Sequence, residues 1–379
     1  MKTPLKVAIV HDYLNEFGGA ERVLLALTEI WPDAPIYTAF YKEHSPAWER
    51  FQDKDLRPSW VQRIPFFASK LHSPLRFLAP WIWNRFDLTE YDVIISSASW
   101  YITKGFTKKR KNAIEICYCH TPPRWLYGYP TSVEFQKYWP VRVYAHVVGH
   151  FMRLYDWYAA QRVDYFIANS ENVARRIKKF YRREATVIYP PVDQPKSELV
   201  TKKDNYYLVT SRIVGGKGLD LAVKAAVALG LHLKIAGKAA GYASEYQNLV
   251  NLAKQPGEHT IEFLGYVSDD QLRDLYAHAK AFFALASDED FGITPVESMM
   301  HGTPVIAFRG GGYVESVVEN KTGVFFEEQS VESVIEAIKT FEKKKFDAKE
   351  IAKYAQKFSK ERFQKEVEKF VAAKKAIIL

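Results

Sequence analysis

The stretch Ala284-Leu-Ala-Ser-Asp-Glu289-Asp-Phe-Gly292-Ile-Thr294-Pro-Val-Glu297-Ser-Met-Met-His-Gly-Thr-Pro-Val-Ile-Ala-Phe-Arg-Gly310-Gly-Gly312 reads as strand, acidic loop, helix, strand and glycine turn. The apolar run 281–285 has the character of a buried strand, and Thr294 followed by Pro295 predicts an N-cap with proline at the first helical position. A helix start leaves backbone N–H groups unpaired at the positive end of its dipole, so an anion near Gly292, Ile293 and Thr294 needs no lysine beside it. Glu289 and Glu297 bracket that start, one at the mouth of the site and one on its deeper wall. Two carboxylates around an anion site suit a ligand that carries both phosphate and hydroxyls. The plainer alternative is a strand–helix connection whose acids are merely solvated.

Two further motifs lie upstream. Ser211-Arg212-Ile-Val-Gly-Gly-Lys217-Gly218 is a basic, glycine-rich loop directly after an apolar strand. Near the N-terminus, His11-Asp-Tyr-Leu-Asn-Glu-Phe-Gly18-Gly19-Ala-Glu21 follows another apolar strand and runs into a helix with Val23, Leu24, Leu27 and Ile30 at helical spacing. The second is a strand–loop–helix entry of phosphate-binding type, though neither a complete G-x-G-x-x-G nor a Walker loop.

Together these residues resemble the retaining, family 4 glycosyltransferases of the GT-B fold. Glu289-Asp-Phe-Gly-Ile-Thr-Pro-Val-Glu297 is similar to that family's E-x7-E signature, and all three motifs occur in the family's order. The resemblance implies an α/β chain of GT-B architecture, with two doubly wound Rossmann-like domains facing across a cleft. Residues 1–193 would form the acceptor-side domain and 194–358 the nucleotide-sugar-binding domain. The last helix, 359–379, would cross back to the N-terminal domain. It further implies that Arg212, Lys217, Glu289 and His120 serve catalysis. Gly18, Gly19, Tyr266, Phe291, Gly292, Ile293, Thr294 and Glu297 would bind the donor, Glu297 at the ribose and Glu289 at the sugar. His120 stands at the end of the strand 113–119, before Thr-Pro-Pro-Arg124, and the family often carries a histidine there, facing the transferred sugar.

Composition sets bounds on these readings. A chain of 379 residues is too long for one core and fits two domains. A net charge of +9 favours acidic partners such as nucleotide diphosphates, anionic lipid surfaces or nucleic acid. Strands alternate with helices through both halves, which predicts two parallel sheets. Cys117 and Cys119 share one strand face, so core packing outweighs a disulfide or a zinc site, and a reducing, cytoplasmic setting is expected. No apolar run reaches the length of a membrane span. Residues 56–86 interleave Trp60, Phe66, Phe67, Phe77, Trp81, Trp83 and Phe86 with basic residues and contain no Asp or Glu. This segment either docks on an anionic bilayer, placing the protein at the inner face of the cell membrane, or folds over the N-terminal domain.

Asp288-Glu289-Asp290 also spells D-x-D, the metal motif of the other large glycosyltransferase fold. Its place after two α/β series, at a helix start, argues against a metal, so none is expected. The overall resemblance leans towards bacterial polysaccharide mannosyltransferases, which makes GDP-mannose the first donor to consider and UDP-sugars the next, with a glycan or polyprenyl-linked acceptor. Other readings are a silent binding subunit of the same fold, a GT-B epimerase or phosphorylase, and a nucleic-acid-binding protein. The last lacks any recognition motif.

Overall fold

The computed structural model describes residues 5–129, 138–195, 197–214, 216–238 and 243–377. The chain divides into two compact units. One takes the N-terminal part to Pro191 together with Lys360 onward, and the other takes Val192–Ser359.

The first unit is a parallel sheet of strands β1 (Val7–His11), β2 (Ile36–Thr38), β3 (Leu56–Pro58), β4 (Val93–Ala98), β5 (Ile114–Cys119), β6 (Tyr165–Ala168) and β7 (Ala185–Val187), in the order β3-β2-β1-β4-β5-β6-β7. Both faces are covered, so the strands are apolar throughout rather than alternating. Val7 and Ile9 of β1 point into one core with Val23, Leu24 and Leu27, while Ala8 and Val10 point into another with Phe40, Phe67 and Trp83. Helix Lys360–Ala376 closes the first of these cores with Phe363, Val367 and Val371. Its Gln364 donates to Glu29 Oε2 at 2.7 Å, and its Arg362 to the Tyr189 carbonyl at 2.9 Å.

The second unit repeats the arrangement with β8 (Tyr207–Thr210), β9 (His232–Ala236), β10 (Thr260–Gly265), β11 (Ala281–Ala284), β12 (Val305–Phe308) and β13 (Gly323–Phe326), all parallel, in the order β10-β9-β8-β11-β12-β13. Helices Leu219–Leu229 and Val331–Glu342 pack on one face against Tyr207, Val209, Ile235 and Phe283.

Residues 56–86 are mostly fold. Phe67 and Trp83 are buried, Trp60, Phe77 and Phe86 pack against the same cluster, and the Trp83 indole donates to the Tyr101 carbonyl at 2.7 Å. Phe66 and Trp81 alone among these aromatics stay largely exposed. Cys117 and Cys119 are both buried and free. Other elements differ from the sequence reading. Strands β2 and β3 and helix Ala243–Ala253 carry no clear sequence signal, and residues 144–162, which read as a helix in the sequence, belong to one that begins earlier, at Trp139. Three-residue strands hold too few positions for periodicity, and Pro140 lies within the first turn of its helix, where its missing N–H costs nothing.

Candidate active site

In an open parallel sheet, ligands collect outside the carboxyl ends of the strands where the strand order reverses. In the second unit this point lies between β8 and β11, because the chain runs outward from β8 through β9 to β10 and then restarts at β11 on the other side. Two of the predicted loops leave these neighbouring strands. Lys217, at the end of the loop after β8, places Nζ 2.7 Å from Glu289 Oε2 in the loop after β11, and both side chains are half-buried. Gly218, at φ +69°, makes the approach possible, since a Cβ there would lie 2.8 Å from the Leu285 carbonyl oxygen. Arg212 stands on the same basic loop. The loop is pinned by Ile213 N–H donating to the Lys238 carbonyl at 2.9 Å. Gly215 lies outside the described residues.

The acidic loop rests on the glycine turn that follows β12. Gly312 N–H donates to the Glu289 carbonyl at 2.9 Å. At Gly311, φ +56°, a Cβ would meet the same oxygen at 2.5 Å. The helix after the loop spans Ile293–Met300 with Gly292 as its N-cap at φ +87°, which corrects the expected start. Thr294 is the second helical residue rather than the cap, and Pro295 is the third rather than the first. The left-handed turn at Gly292 starts the helix early, and proline is still tolerated because that N–H has no intrahelical acceptor. The N–H groups of Ile293 and Thr294 belong to this open first turn. The Phe291 ring turns inward to within 5.4 Å of Phe358, so this residue offers backbone rather than side chain.

Glu297 is buried one turn further along, and Tyr276 donates its hydroxyl to Glu297 Oε2 at 2.9 Å while also lying 2.8 Å from Thr210 Oγ1. A buried carboxylate held in this way is oriented rather than solvated. His301 Nδ1 lies 2.9 Å from the Glu297 carbonyl, and burial holds its pKa below the usual value. Tyr266 follows Gly265 at the end of β10, is 65% exposed, and lies beneath Lys238 Nζ at 4.7 Å from the ring centroid.

The first unit has its own reversal, between β1 and β4. Sheet register sets His11 beside Ser97, and side chains continue the pairing. His11 Nδ1 lies 3.0 Å from Ser97 Oγ, and Ser97 Oγ lies 2.8 Å from His120 Nε2. Glu21 Oε1 stands 3.5 Å from His11 Nε2, and Glu21 Oε2 accepts the Gly18 N–H at 2.8 Å. Gly18 thus caps the helix Gly19–Ile30, with Gly19 exposed at its first position. His120 is therefore the outer member of a buried polar chain. Asp12 acts elsewhere, since its carboxylate accepts the backbone N–H groups of Ser99, Trp100 and Tyr101 and so shapes the loop after β4.

The structure thus gathers Arg212, Lys217, Glu289, Gly292, Ile293, Thr294 and Glu297 at one sheet edge of the second unit, and Gly18, Gly19 and His120 at one edge of the first. Sequence reasoning missed Ser97, Tyr276 and the supporting role of His11 and Glu21. Ser97 is 86 positions from His11, and only strand register joins them. Among the described residues, no three His, Cys, Asp or Glu side chains gather as a metal-binding group, the Asp288–Asp290 loop included.

Two doubly wound parallel units, one with a basic loop, an acidic loop and a helix start at its switch point, define the GT-B class of glycosyltransferases. Residues 17–194 match the family model Glycosyltransferase Family 4 and residues 193–358 match Glycosyl transferases group 1; the chain belongs to the family 4 glycosyltransferases. It is 27% identical over 381 residues to the alpha-1,3/1,6-mannosyltransferase of Homo sapiens, covering 88% of this chain and 86% of that one. The Mus musculus protein of the same description is 26% identical over 358 residues, covering 83% and 82%. Among solved structures, Anabaena HepE in complex with UDP and glucose matches with a TM-score of 0.67 at 16% identity, over 97% of this chain and 100% of that one.

Proposed function

We propose that this chain transfers a hexose, mannose in the first instance, from a nucleotide diphosphate sugar to a glycan or lipid-linked acceptor, with retention of anomeric configuration and without a divalent metal. The observation that carries this reading is the Lys217–Glu289 pair, 2.7 Å apart, on the loops flanking the switch point of the second unit. The leaving diphosphate gains negative charge as the bond from C1 of the sugar breaks, and fixed cations are worth most where that charge develops. Lys217 and Arg212 supply cationic charge, and the open first turn at Ile293 and Thr294 supplies N–H donors. Gly18 and Gly19, at the start of a helix in the first unit, are assigned to donor binding by the family resemblance. Glu289, released from Lys217 when phosphate takes its place, accepts hydroxyls of the donor sugar. Glu297, held by Tyr276, accepts ribose hydroxyls, and Tyr266 serves the nucleotide.

In a transfer on one face of the sugar, the acceptor oxygen bonds to C1 as the phosphate departs, and the acceptor proton passes to the departing phosphate oxygen. Neither glutamate has to act as a general base. His120 then supports the sugar and its developing charge. Mannose rests on the similarity to the mannosyltransferases, and GDP is the nucleotide to test first. UDP, which HepE holds, is the runner-up. A carrier-linked acceptor accords with a protein working at the cytoplasmic face of the cell membrane.

A thermal-shift panel of nucleotide sugars, followed by transfer assays in EDTA with lipid-linked glycans, tests the proposal. GDP-mannose should stabilise the protein and be consumed with an alpha-linked product. Product of inverted configuration, or activity lost on chelation, would overturn the mechanism.

A further inference from the structure

Helix Trp139–Arg162 has one face built into the first unit and one face left uncovered by the described residues. The inner face carries Gly149, Met152, Asp156, Ala159 and Ala160. The outer face is apolar in an unbroken helical stripe. Trp139, Val143, Val147, Phe151, Leu154 and Tyr158 recur at steps of three and four and are all exposed, Trp139 by 70% and Phe151 by 66%. At 1.5 Å per residue the stripe runs roughly 28 Å. A surface helix normally shows polar residues to water, so six large apolar side chains in line call for an occupant.

The charges beside the stripe choose that occupant. Arg142 is the exposed charge on its flank, with Arg153 half-buried behind it, and the other flank positions are the exposed imidazoles His146 and His150. The helix contains a single acid, Asp156, which is fully buried, paired with Lys104 and hydrogen-bonded by Tyr127 at 2.7 Å. No carboxylate of this helix therefore faces outward. With Arg142 exposed beside the stripe and no carboxylate of the helix facing outward, anionic lipid headgroups complement the flank and acyl chains receive the stripe. Trp139 and Tyr158 stand at its two ends and are of the aromatic type that favours the headgroup layer. No described helix is long and apolar enough to cross a membrane, so a helix lying in the interface is the geometry left.

We infer that the exposed face of helix Trp139–Arg162 is a docking surface for anionic lipid bilayers, lying flat with Trp139, Val147, Phe151 and Tyr158 in the headgroup and upper acyl region. This goes beyond the transferase reading and gives the membrane contact proposed there a definite address. It also moves that contact away from residues 56–86.

Flotation of the full chain with vesicles, without donor or acceptor, tests it. Wild-type protein should float with phosphatidylcholine–phosphatidylglycerol vesicles and much less with phosphatidylcholine alone, and salt should weaken the association. Val147→Glu with Phe151→Glu should lower vesicle binding about ten-fold or more at an unchanged melting temperature, because both sites are exposed. Phe66→Glu with Trp81→Glu should leave it unchanged. Equal flotation of the Val147/Phe151 variant would overturn the inference, as would wild-type dimers in light scattering that this variant converts to monomers. Failure here leaves the transferase reading intact, and failure of transfer in a protein that floats leaves the docking surface intact.

Discussion

Lys217 Nζ stands 2.7 Å from Glu289 Oε2, joining the two loops that leave adjacent strands at the reversal of the second sheet. Each charge holds the other in place before a donor arrives, and a diphosphate must exchange one partner for another. Lys217→Ala should therefore cost about 3 kcal/mol in the transition state, roughly a hundred-fold in kcat/KM. Glu289→Gln should leave diphosphate affinity close to the parent while turnover falls. Titration calorimetry beside single-turnover transfer separates the two.

Glu297 and Tyr276 form the corresponding deeper pair. Glu297→Ala should weaken the nucleotide itself, because a ribose contact acts in ground and transition states alike. Tyr276→Phe removes the hydroxyl that bonds both Glu297 and Thr210 and should cost about 1 kcal/mol in nucleotide affinity through the loosened carboxylate. If the free diphosphate bound both variants as it binds the parent, Glu297 would be a packing residue.

His120 lies at the end of a chain that runs back through Ser97 to His11. His120→Ala should reduce turnover far more than donor affinity. Ser97→Ala takes away the imidazole's contact with the Ser97 hydroxyl at Nε2, so it should lower kcat by a smaller factor with KM little changed. Parental turnover in His120→Ala would return that residue to loop packing.

The glycine turn under the acidic loop makes a comparison within one protein. Gly216 and Gly311 both have positive φ, but a Cβ at Gly216 meets nothing within 4 Å, whereas one at Gly311 lies 2.5 Å from the Glu289 carbonyl oxygen. Gly216→Ala should cost only the backbone penalty, about 1 kcal/mol, and Gly311→Ala distinctly more, about 2–3 kcal/mol. Urea melts of the two variants give the difference directly.

Mild acid should destabilise the fold through buried histidines. Burial holds His72 and His301 below the usual 6.5, so the folded state resists the proton that the unfolded chain accepts. Their contribution is complete above pH 6.5 and is lost as pH falls towards their lowered values. Melting temperature should drop between pH 7 and pH 5, and His301→Gln should flatten part of that drop.

Much of this is legible in the sequence because the site lies where strands end in glycine and acid. The basic loop before Leu219, the acidic loop before Ile293 and the histidine after β5 are each local patterns, and each lies at the strand edge expected of it. Helix Leu219–Leu229 and strand Tyr165–Ala168 carry full periodicity or a clean apolar run in the sequence. The cap differs because Thr-Pro is a strong local signal, yet Gly292 reaches a backbone region that threonine rarely enters. Ser97 and Tyr276 are invisible for another reason. Ser97 joins His11 through sheet register and Tyr276 joins Glu297 across two helices, and neither relation leaves a spacing in the chain.

The central claim is that a nucleoside diphosphate binds the second unit through Lys217 and the helix start at Ile293, without metal. Calorimetric titration of GDP into the full chain in EDTA, for the parent and Lys217→Ala, addresses it most directly. Undiminished binding of the parent under chelation, with affinity roughly a hundred-fold weaker in the variant, is the predicted result. Binding that disappears with EDTA, or that is equal in the two proteins, would contradict the account.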